Sequence, residues 1–92
     1  MRRAARVDSN QPDIVKALRK IGAEVTHLHR VGKGVSDLLV SYRQKWFVLE
    51  CKAKDPNDLT PDQRVWIGAQ KAPVYTVCSP LEAVAFLQDV KP

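Results

Sequence analysis

The sequence has few residues that would crosslink the chain or anchor it in a membrane. Only two cysteines, Cys51 and Cys78, occur among 92 residues, which is too few for a disulfide framework. Both lie in apolar, strand-like runs, where a free cysteine acts as a small hydrophobic residue. The longest apolar runs, such as residues 74–78, are far too short to span a membrane. No apolar segment follows Met1 and its two arginines, so no signal peptide is expected. These absences favour a reducing, cytoplasmic setting without a membrane partner.

No repeat, low-complexity tract or internal linker interrupts the chain, so a single domain is expected at residues 9–92. The basic residues 1–8 lack hydrophobic periodicity and are expected to form an N-terminal arm. The net charge of +5 favours a polyanionic partner, because neutralising phosphates releases counterions. A solvated basic surface explains the same charge, so charge alone assigns no function.

Hydrophobic periodicity and turn residues predict the element order α-β-β-β-α-β-α. The first helix is expected to begin with a cap at Ser9 or Asn10 and to end at Gly22. Two capping boxes, Thr60 to Gln63 and Ser79 to Glu82, predict the starts of the other two helices. Strands are expected at residues 25–30, 36–42, 45–52 and 72–78. The order predicts an α/β fold, a mixed sheet flanked by helices, with a right-handed parallel crossover in its last β-α-β unit.

Apolar spacing also predicts which side chains enter the core. The predicted core faces of the first and last helices are Ile14, Val15, Leu18 and Ile21, and Leu81, Val84, Ala85 and Leu87. Trp66 lies in an apolar run of the second helix and is expected in the core as well. Trp46 alternates onto the face of Glu50, where it is expected to pack under a helix.

Three charged residues, Asp37, Glu50 and Lys52, stand at the ends of two predicted strands, where burial of charge is costly. If the strands pair outward from Tyr42 and Lys45, Asp37 lies directly opposite Glu50, with Cβ atoms roughly 4.5–5.5 Å apart. Lys52 is two residues beyond Glu50 and shares its face. The register depends on a two-residue turn, because an odd-length loop would move Asp37 to the other face.

Two carboxylates this close repel each other unless a proton or a cation lies between them. Mg²⁺ suits the pair, because it prefers oxygen ligands and can activate water and stabilise charge on a scissile phosphate. A protonated Lys52 is no metal ligand, yet it can position the attacking water or stabilise developing negative charge. These groups are sufficient for phosphodiester hydrolysis. The simpler alternative is a solvated ion pair at the end of a strand.

The segments "GVSDLLV" and "FVLECKAK" together resemble the PD-(D/E)xK nuclease superfamily. The segments "LTPDQRVW" and "PVYTVCSPLEAVAFL" are similar to its virus-type replication-repair nuclease branch, the VRR-NUC domain. The resemblance runs from about Asp8 to Leu87. It implies a restriction-endonuclease-like sheet and a metal-dependent DNA endonuclease in a bacterial or phage-infected host cell.

The resemblance also implies a role for each motif residue. Asp37, Glu50 and the backbone carbonyl of Cys51 would bind Mg²⁺, for which Mn²⁺ is an alternative. Lys52 would be the catalytic lysine, and Gln63 would be a catalytic residue close by. The position of Gln63 is equally explained by the capping box that it completes.

The sequence departs from the family pattern at two positions. Ser36 stands where proline often precedes the motif aspartate, a change that should not remove metal binding. Gln11 stands where many relatives carry a glutamate that faces the site, which makes it a candidate further metal ligand. Asp8 and Asp13 are the alternatives. An amide is a weaker magnesium ligand than a carboxylate, so a second metal stays an open question.

Basic residues beside these motifs are expected to contact DNA: Arg30, Lys33, Lys54 and Arg64. His27 and His29 lie two residues apart, but no further zinc ligand has a suitable spacing, so strand surface or DNA contact is favoured over zinc. Standalone members of this branch resemble Holliday-junction resolvases, homodimers whose two-fold symmetry suits two symmetric cuts in branched DNA. The alternatives are a nuclease for flaps or other branched ends, a non-catalytic DNA-binding module, and a structural interaction domain.

Overall fold

The computed structural model describes residues 9–89, and the predicted arm at residues 1–8 lies outside them. The helices are α1 (Gln11–Lys20), α2 (Pro61–Ala69) and α3 (Pro80–Asp89). The strands are β1 (Glu24–His27), β2 (Leu38–Tyr42), β3 (Lys45–Cys51) and β4 (Tyr75–Val77). They form one mixed sheet in the order β1-β2-β3-β4, in which β4 alone runs parallel to its neighbour. The fold is therefore mixed α/β with a four-stranded sheet.

The region after β1 differs from the prediction. The strand ends at His27, and a single 3-10 turn at His29–Val31 replaces the end of the strand predicted to reach Arg30. The Leu28 amide donates to the backbone carbonyl of Asp37 at 2.8 Å. This bond follows the last β1–β2 ladder pair, beyond which the chain turns away from the sheet.

The hydrophobic core lies between one face of the sheet and the helices α1 and α3, which also pack against each other. Ile14, Val15 and Leu18 of α1 are buried, and Ile21 packs partly against them, so the predicted face of this helix is confirmed. Among residues 9–89 no helix is long and apolar enough to cross a membrane.

The predicted core face of α3 is wrong at two of its four positions. Leu81 is 80% exposed and Ala85 is exposed, whereas Leu87 is buried as predicted and Val84 is partly buried. The helix is rotated because aromatic packing orients it: the Phe86 ring lies 5.7 Å from that of Phe47 and 4.5 Å from that of Tyr75. Ala83, which was not among the predicted core residues, is therefore buried in the core.

The other face of the sheet and the helix α2 remain largely exposed. Trp46 is 71% exposed, so its predicted packing under a helix is wrong. The prediction that Trp66 enters the core is also wrong, since it is only half-buried and α2 has no buried residue. The reason is that only the first turn of α2 packs closely, against Gly34 in the loop before β2. The helix does not pack lengthwise on the sheet.

The β2–β3 hairpin has the predicted register, from Tyr42 opposite Lys45 to Leu38 opposite Leu49. Its two turn residues, Arg43 and Gln44, have φ of 50° and 70°. Positive φ at both positions is the signature of the type I′ turn, whose twist matches that of paired strands. The even loop therefore keeps the charged strand ends on one face, as the sequence predicts.

Candidate active site

The predicted catalytic residues meet at one edge of the sheet, where β2 begins and β3 ends. They line a cavity of about 250 Å³. Its walls are Asp37, Glu50, Cys51, Lys52, Asp58, Thr60 and Gln63. All four predicted catalytic side chains are therefore brought together. Thr60 was predicted only as a helix cap, and Asp58 was not predicted at all.

Asp37 is held in place by the neighbouring strand. Its side chain is 8% exposed, and its Oδ2 atom accepts a hydrogen bond from the Cys51 amide at 2.7 Å. The bond joins the residue before β2 to the last residue of β3, and it follows from the hairpin register. A hydrogen bond to a carboxylate is stronger than one between neutral groups, so the position of this carboxylate is well defined.

Glu50 is the most deeply buried charged residue of the site. It is 1% exposed, and its Oε1 atom has no hydrogen-bond partner within residues 9–89. Burial, the neighbouring Asp37 carboxylate and a hydrogen bond with it together raise the pKa of Glu50 to about 8, while Lys52 opposes the shift. Without a bound cation Glu50 therefore keeps its proton at neutral pH, and a cation between the two carboxylates would displace that proton.

Gln63 connects the lysine to the buried carboxylate. Its Oε1 atom accepts from Lys52 Nζ at 2.9 Å and from the Thr60 amide at 2.9 Å. Its Nε2 atom donates to Glu50 Oε2 at 2.9 Å. The capping box is completed by the bond from the Gln63 amide to Thr60 Oγ1 at 3.1 Å. The two explanations of Gln63 are thus compatible, because one side chain caps α2 and lies between the two charged groups.

Gly34 brings the start of α2 against the site. Its φ is 83°, and a Cβ atom there would overlap the backbone of Asp62 and lie 2.8 Å from the Gln63 nitrogen. Only glycine meets both conditions without strain. The glycine of the "GVSD" motif thus fixes the helix that carries Gln63.

Asn10 makes a contact that sequence reasoning missed. It precedes α1, but its side chain makes no capping bond. Instead its Nδ2 atom donates to the carbonyls of Lys52 at 3.1 Å and Cys78 at 2.8 Å. Asn10 thus occupies the N-cap position, as predicted, but its amide ties α1 to the ends of β3 and β4 instead of capping the helix. No local pattern could have indicated a contact so distant in sequence.

The predicted capping box of α3 forms only in part. The Glu82 amide donates to Ser79 Oγ at 3.1 Å, as a cap requires. The Glu82 carboxylate, however, accepts from the Cys78 amide at 2.8 Å, one residue before the cap. The start of α3 is therefore joined directly to the residue that Asn10 also binds.

Gln11, the candidate further metal ligand, lines a neighbouring cavity instead of the one around Asp37 and Glu50. It is 2% exposed, with its Oε1 atom unpaired in the part of the chain that the structure describes. Asp13 is exposed, and Asp8 lies outside the described residues. Ser36, at the usual proline position, is fully buried.

The residues at the site fit a hard divalent cation. Within residues 9–89 no group of three or more histidine, cysteine, aspartate or glutamate side chains could hold a metal ion. Two carboxylates with a backbone carbonyl, completed by water and phosphate oxygens, are nevertheless a usual set for Mg²⁺. A cation bound there would both pair with Glu50 Oε1 and offset the repulsion that raises the pKa of this residue.

The four basic residues predicted to contact DNA are all exposed: Arg30, Lys33, Lys54 and Arg64. Lys33 precedes the glycine against which α2 packs, and Lys54 lines a cavity next to Lys52. Arg64 donates to the Asn57 carbonyl at 3.2 Å and steadies the loop before α2. Within residues 9–89 neither cysteine forms a disulfide; Cys51 is buried, and its amide donates to Asp37.

Comparison with family models, with curated proteins and with solved structures finds no match for this chain. The resemblance to the VRR-NUC branch therefore stays a prediction, and the geometry of the site is the basis for a functional proposal.

Replacing Glu50 with glutamine is expected to stabilise the metal-free protein at alkaline pH. Between the ordinary pKa of 4.5 and the raised value of about 8, folded Glu50 keeps a proton that the unfolded chain has released. The free energy of unfolding therefore falls as the pH rises through this window. At pH 8.5 in EDTA, urea unfolding of Glu50→Gln should give about 2–4 kcal/mol more stability than wild type.

Glu24→Gln, at an exposed position on β1, is the matched control and should follow wild type at every pH. Magnesium should raise the unfolding midpoint of wild type at pH 8 and leave that of Glu50→Gln unchanged, because a ligand stabilises only the state that binds it. If the free energy of unfolding had the same pH dependence in wild type and Glu50→Gln, Glu50 would not be a buried carboxylate with a raised pKa.

Proposed function

We propose that this protein is a metal-dependent DNA endonuclease of the VRR-NUC type, with a restriction-endonuclease-like fold. One observation carries the proposal: Asp37, Glu50, Lys52 and Gln63 line a single cavity, in which Glu50 Oε1 is buried without a partner among the described residues. A surface ion pair, the simpler alternative, does not account for a glutamate that is 1% exposed.

The mechanism assigns a separate task to each residue. The carboxylates of Asp37 and Glu50, with the carbonyl of Cys51, would hold Mg²⁺. When bound, the ion supplies a Lewis acid for the scissile phosphate and makes a nucleophile from water at neutral pH. Lys52 stabilises the negative charge that develops on the phosphate. Gln63 keeps the ammonium group and Glu50 in their positions through hydrogen bonds of 2.9 Å.

Branched DNA is the proposed substrate, and a homodimer is the proposed assembly. Trp46, 71% exposed on the open face of the sheet, is a candidate contact of the dimer. Aromatic residues are enriched at protein interfaces. A two-fold dimer would present two copies of the site to two symmetric strands. Recognition would depend on branch shape and backbone charge.

Cleavage of a labelled four-way junction, resolved on a denaturing gel, tests the proposal. Linear duplex and a flap are incubated in parallel with magnesium, with manganese and with EDTA. Paired symmetric nicks in the junction, lost in EDTA, are the expected result. Lys52→Ala should lower the rate about a hundredfold, because it removes one group that stabilises developing charge.

Cutting of flaps alone would keep the chemistry and change the substrate. Binding of all three DNAs without cutting by either metal would support a non-catalytic DNA-binding module instead. Affinity for DNA that is weak and insensitive to salt would indicate a structural interaction domain.

A further inference from the structure

A second cavity, of about 410 Å³, lies between α1 and the end of β1. Its volume falls in the range of small-molecule sites, about 300–1,000 Å³. Pro12 and Val15 form an apolar wall, and the rings of His27 and His29 face it from the strand side. The two imidazoles lie edge to face, with centroids 5.9 Å apart. Because the rings are nearly perpendicular, at 82°, only one of them can lie parallel to a planar ligand, beside the apolar wall.

Two side chains that line this cavity each have a buried polar atom without a partner among residues 9–89. Gln11 is 2% exposed, and its Oε1 atom makes no hydrogen bond within residues 9–89. The Nδ1 atom of His29 is buried and equally unpaired in the same range. Native proteins rarely leave buried polar atoms unsatisfied. A ligand with hydrogen-bonding groups on its edge would satisfy both.

The rim of the cavity is basic. Lys16 and Arg19 lie one turn apart on α1, and both are exposed. Arg19 is oriented by a hydrogen bond of 3.3 Å from its Nη2 atom to the Val25 carbonyl. The described residues that line the cavity include no aspartate or glutamate. An anionic group at the rim would therefore meet only positive charge.

Two hydrogen bonds connect the neighbours of the cavity residues with residues of the candidate active site. Leu28, between the two histidines, donates its amide to the Asp37 carbonyl at 2.8 Å. Asn10, next to Gln11, donates to the Lys52 carbonyl at 3.1 Å. These bonds place the cavity beside the candidate active site, so one DNA strand could contact both.

We propose that this cavity binds one unpaired nucleotide of the DNA strand that is cut. The base lies against Pro12, Val15 and one of the two histidine rings, and its edge donates to Gln11 Oε1. The neighbouring phosphate lies between Lys16 and Arg19. The inference rests on the proposed function and deepens it, because a branch point supplies the unstacked nucleotides that such a pocket needs.

An abasic scan of a forked DNA tests the pocket. Single bases are removed in turn on both sides of the cut, and dissociation constants are measured by fluorescence anisotropy in EDTA. Stacking of one base is expected to contribute about tenfold in affinity. One abasic position within about three nucleotides of the cut should therefore weaken binding by roughly that factor, while the others have little effect.

Two protein variants assign the sensitive position to the cavity. Gln11→Leu keeps the volume and removes an oxygen that no described residue uses, so the fold should tolerate it. In this variant the loss caused by the sensitive abasic position should shrink to about twofold or less. Lys16→Ala should weaken binding of DNA severalfold. The slope of the logarithm of the affinity against the logarithm of the salt concentration should fall by about 1, the value for one phosphate contact. Lys20→Ala, four residues along the same helix and outside the cavity, is its control.

The outcomes separate this inference from the proposed function. Cutting of DNA without any sensitive abasic position overturns the pocket and leaves the nuclease. A sensitive position that persists unchanged in Gln11→Leu also overturns it. A sensitive position that Gln11→Leu abolishes supports the pocket even in a protein that never cuts DNA, because binding is measured without metal.

Discussion

Exchanging Asp37 for asparagine is expected to lower magnesium-dependent cleavage of DNA by about a thousandfold or more, since it removes one of the two proposed carboxylate ligands of the ion. The amide oxygen of asparagine can still accept the hydrogen bond from the Cys51 amide, 2.7 Å long in the wild type. The hairpin and the core should therefore be unchanged. Binding of DNA should be kept or strengthened, because a negative charge near the phosphates is lost. Single-turnover cleavage and anisotropy on the same junction measure the two effects.

Asp58→Asn is the matched control for Asp37→Asn. Asp58 is exposed and lines the same cavity, so the same charge is removed within the site without a proposed ligand being lost. Its cleavage rate should stay within about threefold of wild type, as is usual for exposed polar positions. If Asp37→Asn cuts as fast as Asp58→Asn, the metal-ligand role is refuted and the net charge of the cavity is what matters.

The pairing of Asp37 with Glu50 is the part of the site that the sequence predicts best. Side chains alternate strictly along a strand, so a two-residue turn determines every pair beyond it. Arg43 and Gln44 form such a turn although neither is glycine. Local rules were therefore sufficient to place both carboxylates on one face.

The hydrogen bonds around Asp37 and Glu50 could not be predicted from local sequence patterns. Gln63 meets Lys52 and Glu50 only because Gly34, twenty-nine positions before it in the chain, admits the backbone of α2. Asn10 reaches Lys52 across a separation of 42 residues. Such contacts depend on how elements pack, and periodicity within one element carries no record of them.

The same limit explains the errors in the core. Leu81 is apolar and correctly spaced, yet rings on β3 and β4 orient α3 so that it points outward. Trp46 is correctly placed on the Glu50 face, but no described helix covers its end of the sheet. Apolar spacing predicts that a helix or strand has an apolar face. Tertiary packing decides whether another element covers that face.

Replacing Gly34 with alanine is expected to lower cleavage by about a hundredfold or more, the cost of misplacing a catalytic group by about 1 Å. The added Cβ would overlap the backbone of Asp62, so the first turn of α2 must move. Gln63 moves with it and releases Lys52 and Glu50. The core lies between α1, α3 and the sheet, so the variant should still fold. Circular dichroism and urea unfolding check this point beside the cleavage assay.

Gly32→Ala separates displacement of the helix from backbone strain. Gly32 has a φ of 74°, close to the 83° of Gly34, but nothing lies within 4 Å of a Cβ built there. Gly32 also has a ψ of −166°, a conformation essentially reserved for glycine, so both variants should lose about 1–3 kcal/mol of stability through backbone strain. Only Gly34→Ala should lose activity, because only there does the new atom meet α2. Equal cleavage by the two variants would mean that the position of Gln63 is immaterial to the reaction, and that its bonds to Lys52 and Glu50 serve the helix cap alone.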